Sequence, residues 1–355
     1  MSYAEQDEQL KKEMSLIQEL IYKDPELMIQ KCYELKNLAK MRNNTYCMCY
    51  AQNYITDYTF SMKTHAEVME QLNLALFLNE HADFDDLKLQ IYNLAGIIYA
   101  DNSNYNEAIE YYLKALNKTE DGENDEVRSK IYTNLAYCFI SLNQFELALP
   151  YCQKALEICE KQNKINAHLY TIIRTNLAAI YANIHRETEA IAILDEVQKD
   201  ASLTDISSTI TLNKSIRCVC VANLGKKEEA LQLIDEIMET PAGGFNAREV
   251  NYSTFTRIFE VAIKIEEKER AQKILLFLEQ MEYTYQNVSL KRELIMKKIE
   301  FCLCFHETED LNNLYESFYQ LSKLEAQERK ASNLDTLQSK LKLYEEIEEK
   351  AAIKK

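Results

Sequence analysis

The chain has 355 residues, 41 basic against 57 acidic, a net charge of −16, and only five glycines and three prolines. So little glycine and proline excludes a turn-rich β fold and points to helices joined by short connections. The acidic balance excludes a free-standing nucleic-acid binder, whose affinity comes from neutralising phosphates. No run approaches the ~20 apolar residues of a membrane helix.

Met1 to Leu20 is charged and lacks the apolar core of a secretion signal, so a cytoplasmic protein is expected. Asp24-Pro25-Glu26 opens a helix, with proline at the favoured first helical position. Asn43-Asn44, Asn102, Asn104, Asn143, Asn163 and Asn166 mark turns, because asparagine tolerates the left-handed conformation that closes a helix. Ten cysteines include three C-x-C pairs: Cys47 with Cys49, Cys218 with Cys220, and Cys302 with Cys304. Residues two apart on a helix point about 200° apart, so such a pair cannot grip one metal or close one disulfide. These are expected to be small apolar helix residues in a reducing compartment.

Met28, Val68, Ala108, Ala148, Ala190, Ala230, Ala271 and Leu311 recur at intervals of 40 to 42 residues. In the third unit of this rhythm Tyr92, Ala95-Gly96, Tyr99, Ala108, Tyr112 and Ala115 stand at fixed offsets. Tyr132, Leu135-Ala136, Phe139, Ala148, Cys152 and Ala155 repeat those offsets in the fourth. Gly225-Lys-Lys-Glu-Glu-Ala230 is the same junction in the sixth. Small residues let the two helices of a hairpin approach, and aromatics fill the gap to the next hairpin.

This pattern resembles the tetratricopeptide repeat, strongly over about residues 88–240 and in phase to about 320. The resemblance implies an all-α fold, a right-handed α-solenoid of about eight helical hairpins. The usual period is about 34 residues; the longer one here predicts longer helices. Pro241-Ala-Gly-Gly-Phe245 is the one Gly/Pro cluster and is expected to hinge the array. The array is assigned to residues 1–320. It starts near Met28, so no separate N-terminal domain is expected.

Residues 321–355 read as an extended connector helix. Leu334, Leu337, Leu341 and Tyr344 form a short heptad seam, suited to a parallel homodimer. Leu321 to Ala331 and the Leu/Lys/Glu-rich residues after it resemble the connector of bacterial proteins in which a tetratricopeptide array precedes a GGDEF diguanylate cyclase domain. The GGDEF motif itself is absent.

No phosphate loop, G-x-S-x-G or H-E-x-x-H is present, and His65, His81, His168, His185 and His306 are scattered near turns. Neither an enzyme nor a cofactor is therefore expected. Helical arrays bind with the concave surface lined by the first helix of each hairpin. Counting back from the recurring residues puts Asn53, Asn93, Thr133, Asn134, Tyr137, Arg174, Thr175 and Asn176 there. Amides pair with the backbone of an extended peptide, and Arg174 is the candidate for an anionic contact. Arg257, Glu260, Lys264, Lys297 and Glu300 make the far end charged. The expected function is a sensory module that binds a peptide or protein and relays binding through the C-terminal helix to an effector domain, a diguanylate cyclase being its specific form. The alternatives are a passive adaptor and a cytoplasmic peptide-pheromone receptor.

Overall fold

In the computed structural model, residues 8–327 are described apart from 22, 83, 103, 120–123, 163–165, 200–206, 240–247 and 286–287. The described residues are helices and turns, without strands. They fall into two compact units that divide after Leu142. The first holds α1 (Glu8–Leu20), α2 (Pro25–Met41), α3 (Thr45–Met62), α4 (His65–Glu80), α5 (Asp85–Asp101), α6 (Tyr105–Leu116) and α7 (Asp125–Ser141). The second holds α8 (Phe145–Glu160), α9 (Ala167–Asn183), α10 (Glu187–Lys199), α11 (Ser207–Asn223), α12 (Lys227–Glu239), α13 (Arg248–Lys264), α14 (Lys268–Tyr285), α15 (Val288–Cys304) and a last helix, α16, over 311–327.

The all-α repeat fold expected from the sequence is the fold observed. All eight recurring residues fall in even-numbered helices. Seven of them are buried, the five alanines completely, and Leu311 is half-buried. The longer period goes partly into the odd-numbered helices. From α3 to α15 each has 17 or 18 residues.

Local chemistry sets the ends. Asp24 accepts a hydrogen bond from Leu27 N at 3.0 Å, with Pro25 behind it as first helical residue. Asn44 and Asn166 cap α3 and α9 in the same way, at 3.0 and 3.1 Å. Asn143, His185, Gly225, Glu266 and His306 take positive φ, between 55° and 76°. They recur once per repeat, each between an odd helix and the next even one. At the last four, the following N–H reaches the carbonyl five residues back at 2.9 Å, as in Arg186 to Tyr181 and Glu267 to Ala262. This closure satisfies carbonyls that a helix end leaves open. Asparagine was the expected residue there; two histidines and a glutamate take the same strained position.

Gly96 explains how closely α5 and α6 pack. A Cβ there would lie 2.6 Å from Cδ1 of Tyr112, whose ring fills the gap and is 2% exposed. Tyr99 stacks on Tyr111 with centroids 5.4 Å apart. All ten cysteines are free thiols. Cys47, Cys49, Cys218 and Cys220 are wholly buried, because an odd helix is enclosed on two sides. Cys218 faces the Ala230 carbonyl on α12, while Cys220 feels the Glu187 charge from α10. Burial pushes both thiols up to about 12, so they are inert as nucleophiles.

The expected hinge at Pro241–Phe245 lies outside the described residues. So does the seam of Leu334, Leu337, Leu341 and Tyr344. α16 runs unbroken through 320, so the boundary expected at 320/321 falls inside a helix.

Candidate ligand-binding wall

Successive odd helices touch one another. In the first unit α3 meets α5 and α5 meets α7; in the second α9 meets α11, α11 meets α13 and α13 meets α15. No comparable pairing joins successive even helices among the described residues. In a curved stack the inner layer has the shorter arc, so the odd helices form the inner wall of each unit.

Side chains also cross between neighbouring repeats on this layer. Asn53 Nδ2 donates to the Leu87 carbonyl at 3.2 Å and to Gln90 Oε1 at 3.3 Å. Thr175 Oγ1 donates to Asn213 Oδ1 at 3.1 Å. Tyr252 donates to the Leu290 carbonyl at 3.1 Å, and Lys264 to Asn223 Oδ1 at 2.6 Å. On the adjoining layer Lys227 reaches the Ile265 carbonyl at 2.9 Å.

These bonds decide where the expected groove residues stand. Asn53 is not on the groove surface: it is fully buried and its oxygen also accepts from Asn79. Thr133 and Thr175 are 4% exposed, and Thr133 returns its hydroxyl to the Ser129 carbonyl at 2.7 Å. Arg174, expected to meet an anion, instead pairs with Glu196 and lies 5.1 Å over the Tyr170 ring. Asn93 is half-buried, and its oxygen is enclosed without a hydrogen-bond partner among the described residues. Asn134 is half-buried and bonds the Tyr112 hydroxyl. Tyr137 is 41% exposed, edge-on to Tyr105 at 6.4 Å. In the second unit Asn176 is half-buried and Ile172 beside it is exposed.

The charges of the second unit are arranged less evenly than the sequence suggested. Lys297 is 8% exposed, donates to Glu260 Oε1 at 2.6 Å, and pairs with Glu300 at 3.1 Å. Burial lowers its pKa and the two carboxylates raise it, with a net rise. Glu293 is half-buried; burial pushes its carboxyl up, helped by Glu260 and Glu300 and opposed by Lys297. Arg257, half-buried on α13, donates from Nη1 to Ser215 Oγ on α11 at 2.9 Å. Burial lowers its pKa and Glu260 raises it, with a net fall.

The histidines stay at turns and helix ends. His81 meets the Phe77 carbonyl at 2.9 Å, while His185 and His306 occupy the strained turn positions. No cluster of metal-ligating side chains occurs among the described residues. No described helix is long and apolar enough to cross a membrane.

Among curated protein sequences none matches the chain. Residues 87–161 and 127–199 match the profile of the tetratricopeptide repeat. Among solved structures, a Rap protein complexed with competence and sporulation factor is similar at a TM-score of 0.65 and 14% identity, over 96% of this chain and 99% of that one. NprR in complex with its cognate peptide NprX gives 0.62 and 15%, over 87% and 88%. The apo form of RapI gives 0.60 and 13%, over 96% and 99%. At these identities the likeness is one of fold. Residues 87–199 are thus tetratricopeptide repeats, set in an all-α chain whose fold is shared over nearly its whole length with Rap and NprR structures.

Proposed function

We propose that the chain is a non-catalytic receptor that binds a peptide on the inner wall and passes occupancy to a partner protein. The observation that carries this reading is the set of wall side chains that stay partly exposed. These include Asn93 and Tyr137 in the first unit, and Ile172, Asn176 and Arg257 in the second. Amides and a guanidinium beside exposed apolar groups suit a peptide, which offers carbonyls, N–H groups and side chains together. The fold shared with a structure that holds a cognate peptide supports the same reading. It favours a peptide receptor over a cyclase-linked sensor, for which the tail resemblance is the only support. The relay we assign to α16 and the Leu334–Tyr344 seam, with a homodimer as its output form.

A pool of randomised synthetic heptapeptides passed over the immobilised full chain tests the binding step. Enrichment of related sequences, read by mass spectrometry, is expected; an eluate as random as the input overturns the reading. For an enriched peptide, ligand binding must favour one of two conformations for any relay to work. Solution scattering and the dimerisation constant, each with and without peptide, should therefore change. Identical values leave a passive adaptor.

A further inference from the structure

Every other arginine of the second unit whose side chain is described has a carboxylate. Arg174 pairs with Glu196, Arg186 with Glu189, Arg217 with Asp195, Arg270 with Asp235 and Glu267, and Arg292 with Glu325. Arg257 has none among the described residues. Its one hydrogen bond among the described residues goes to the hydroxyl of Ser215, itself wholly buried and tied to the Leu212 carbonyl at 2.7 Å. Glu260, one turn along the same helix, is the carboxylate near enough to affect Arg257, and Lys297 holds it at 2.6 Å. The guanidinium is thus gripped by one nitrogen from behind, half enclosed, and deprived of the acid that would quench it.

We infer that Arg257, held by Ser215, is a carboxylate-binding site on the inner wall of the second unit. A guanidinium presents a planar fork of donors that matches a carboxylate bidentately. Fixing one nitrogen on a buried hydroxyl removes rotamer freedom before the ligand arrives, which lowers the cost of binding. Partial burial strengthens the contact, because water screens it less. The anion comes from the peptide C-terminus or from an aspartate or glutamate side chain. The inference rests on the peptide-receptor reading and deepens it by naming the group recognised.

Three synthetic pools distinguish the sources: randomised heptapeptides without acidic residues and with a free C-terminus, the same pool amidated, and an amidated pool that contains aspartate and glutamate. Retention on the immobilised full chain should be at least tenfold higher for one of the two carboxylate-bearing pools than for the neutral amidated pool. A terminal site favours the first pool and a side-chain site the third. Arg257→Gln should abolish the preference, and Arg257→Lys should reduce it, because an ammonium lacks the fork. Ser215→Ala, which keeps the charge and loosens the grip, should reduce it about threefold and serves if Arg257→Gln fails to fold. Equal retention of all three pools overturns the site and leaves peptide binding standing. An undiminished preference in both Arg257→Lys and Ser215→Ala also overturns it. Retention of none overturns the receptor reading and the site with it.

Discussion

Asn79 donates from Nδ2 to Oδ1 of Asn53 across 2.8 Å, where the two residues are 1% and 0% exposed. Asn53 passes its own N–H groups to α5. A buried amide pair therefore ties α4 to α3 and α3 to the next repeat.

Asn53→Ala leaves the Leu87 carbonyl and the Asn79 amide short of a partner, and should cost about 1–3 kcal/mol in urea denaturation. Because the two residues share one bond, Asn53→Ala and Asn79→Ala together should cost less than their sum. Additive losses would show that the pair is not coupled.

Gly96→Ala drives a methyl into the Tyr112 ring, which is walled in. Overpacking of this kind costs about 1–3 kcal/mol. Combining it with Tyr112→Leu, which vacates the space, should recover part of the loss in the thermal midpoint. No recovery would point to a backbone cause instead.

Glu266 and His306 hold φ of 58° and 57° where Gly225 serves in the repeat before them. The left-handed region costs an ordinary residue roughly 1–2 kcal/mol, part of which glycine gives back as unfolded-chain entropy. Glu266→Gly and His306→Gly should each stabilise the chain by about 0.5–1 kcal/mol, read from the shift in denaturant midpoint. A loss of stability would contradict the strain argument.

Glu293 titrates above the ordinary carboxylate range because it is half-buried, with Glu260 and Glu300 adding to the effect and Lys297 opposing it. The folded chain then holds this proton more tightly than the unfolded chain does. Stability from this group falls as pH rises from the unfolded pKa through the folded one, and the cost is complete above it. Glu293→Gln should raise the denaturation midpoint at pH 7 and leave it unchanged at pH 3. An equal gain at both values would rule out titration as the cause.

Lys297→Met should weaken carboxylate retention without touching the ligand. It frees Glu260 to turn toward Arg257 and occupy the fork. The double variant Lys297→Met with Glu260→Gln should restore retention. If the single variant retains the carboxylate pools as the parent does, Lys297 has no positioning role.

The fold was readable because it rests on volume and period. Small residues at about 40-residue spacing can be counted, and all fell on even helices. The wall was harder, because one residue along a helix is a turn of about 100°. Asn53, Thr133, Thr175 and Ser215 precede their recurring small or aliphatic residue by 15 positions (68 − 53, 148 − 133, 190 − 175, 230 − 215), and all are buried, whereas Asn93 at the same offset (108 − 93) is half-buried. Asn134, Asn176 and Arg257 precede theirs by 14 (148 − 134, 190 − 176, 271 − 257) and stay half open. Counting back could not separate these two columns. Nor could it foresee that Glu196, 22 residues away, would occupy Arg174 while Arg257 went without an acid.

Several of the bonds between neighbouring repeats run from a side chain to a main-chain carbonyl: Asn53 to Leu87, Lys227 to Ile265, Tyr252 to Leu290. A carbonyl is present whatever side chain its residue carries. These joints thus impose identity on one side only. Leu87, Ile265 and Leu290 are free to drift, as far as the joint is concerned, while the repeats keep their register. The sequence can vary along the acceptor positions, and with it whatever those helices come to recognise, without loosening the stack.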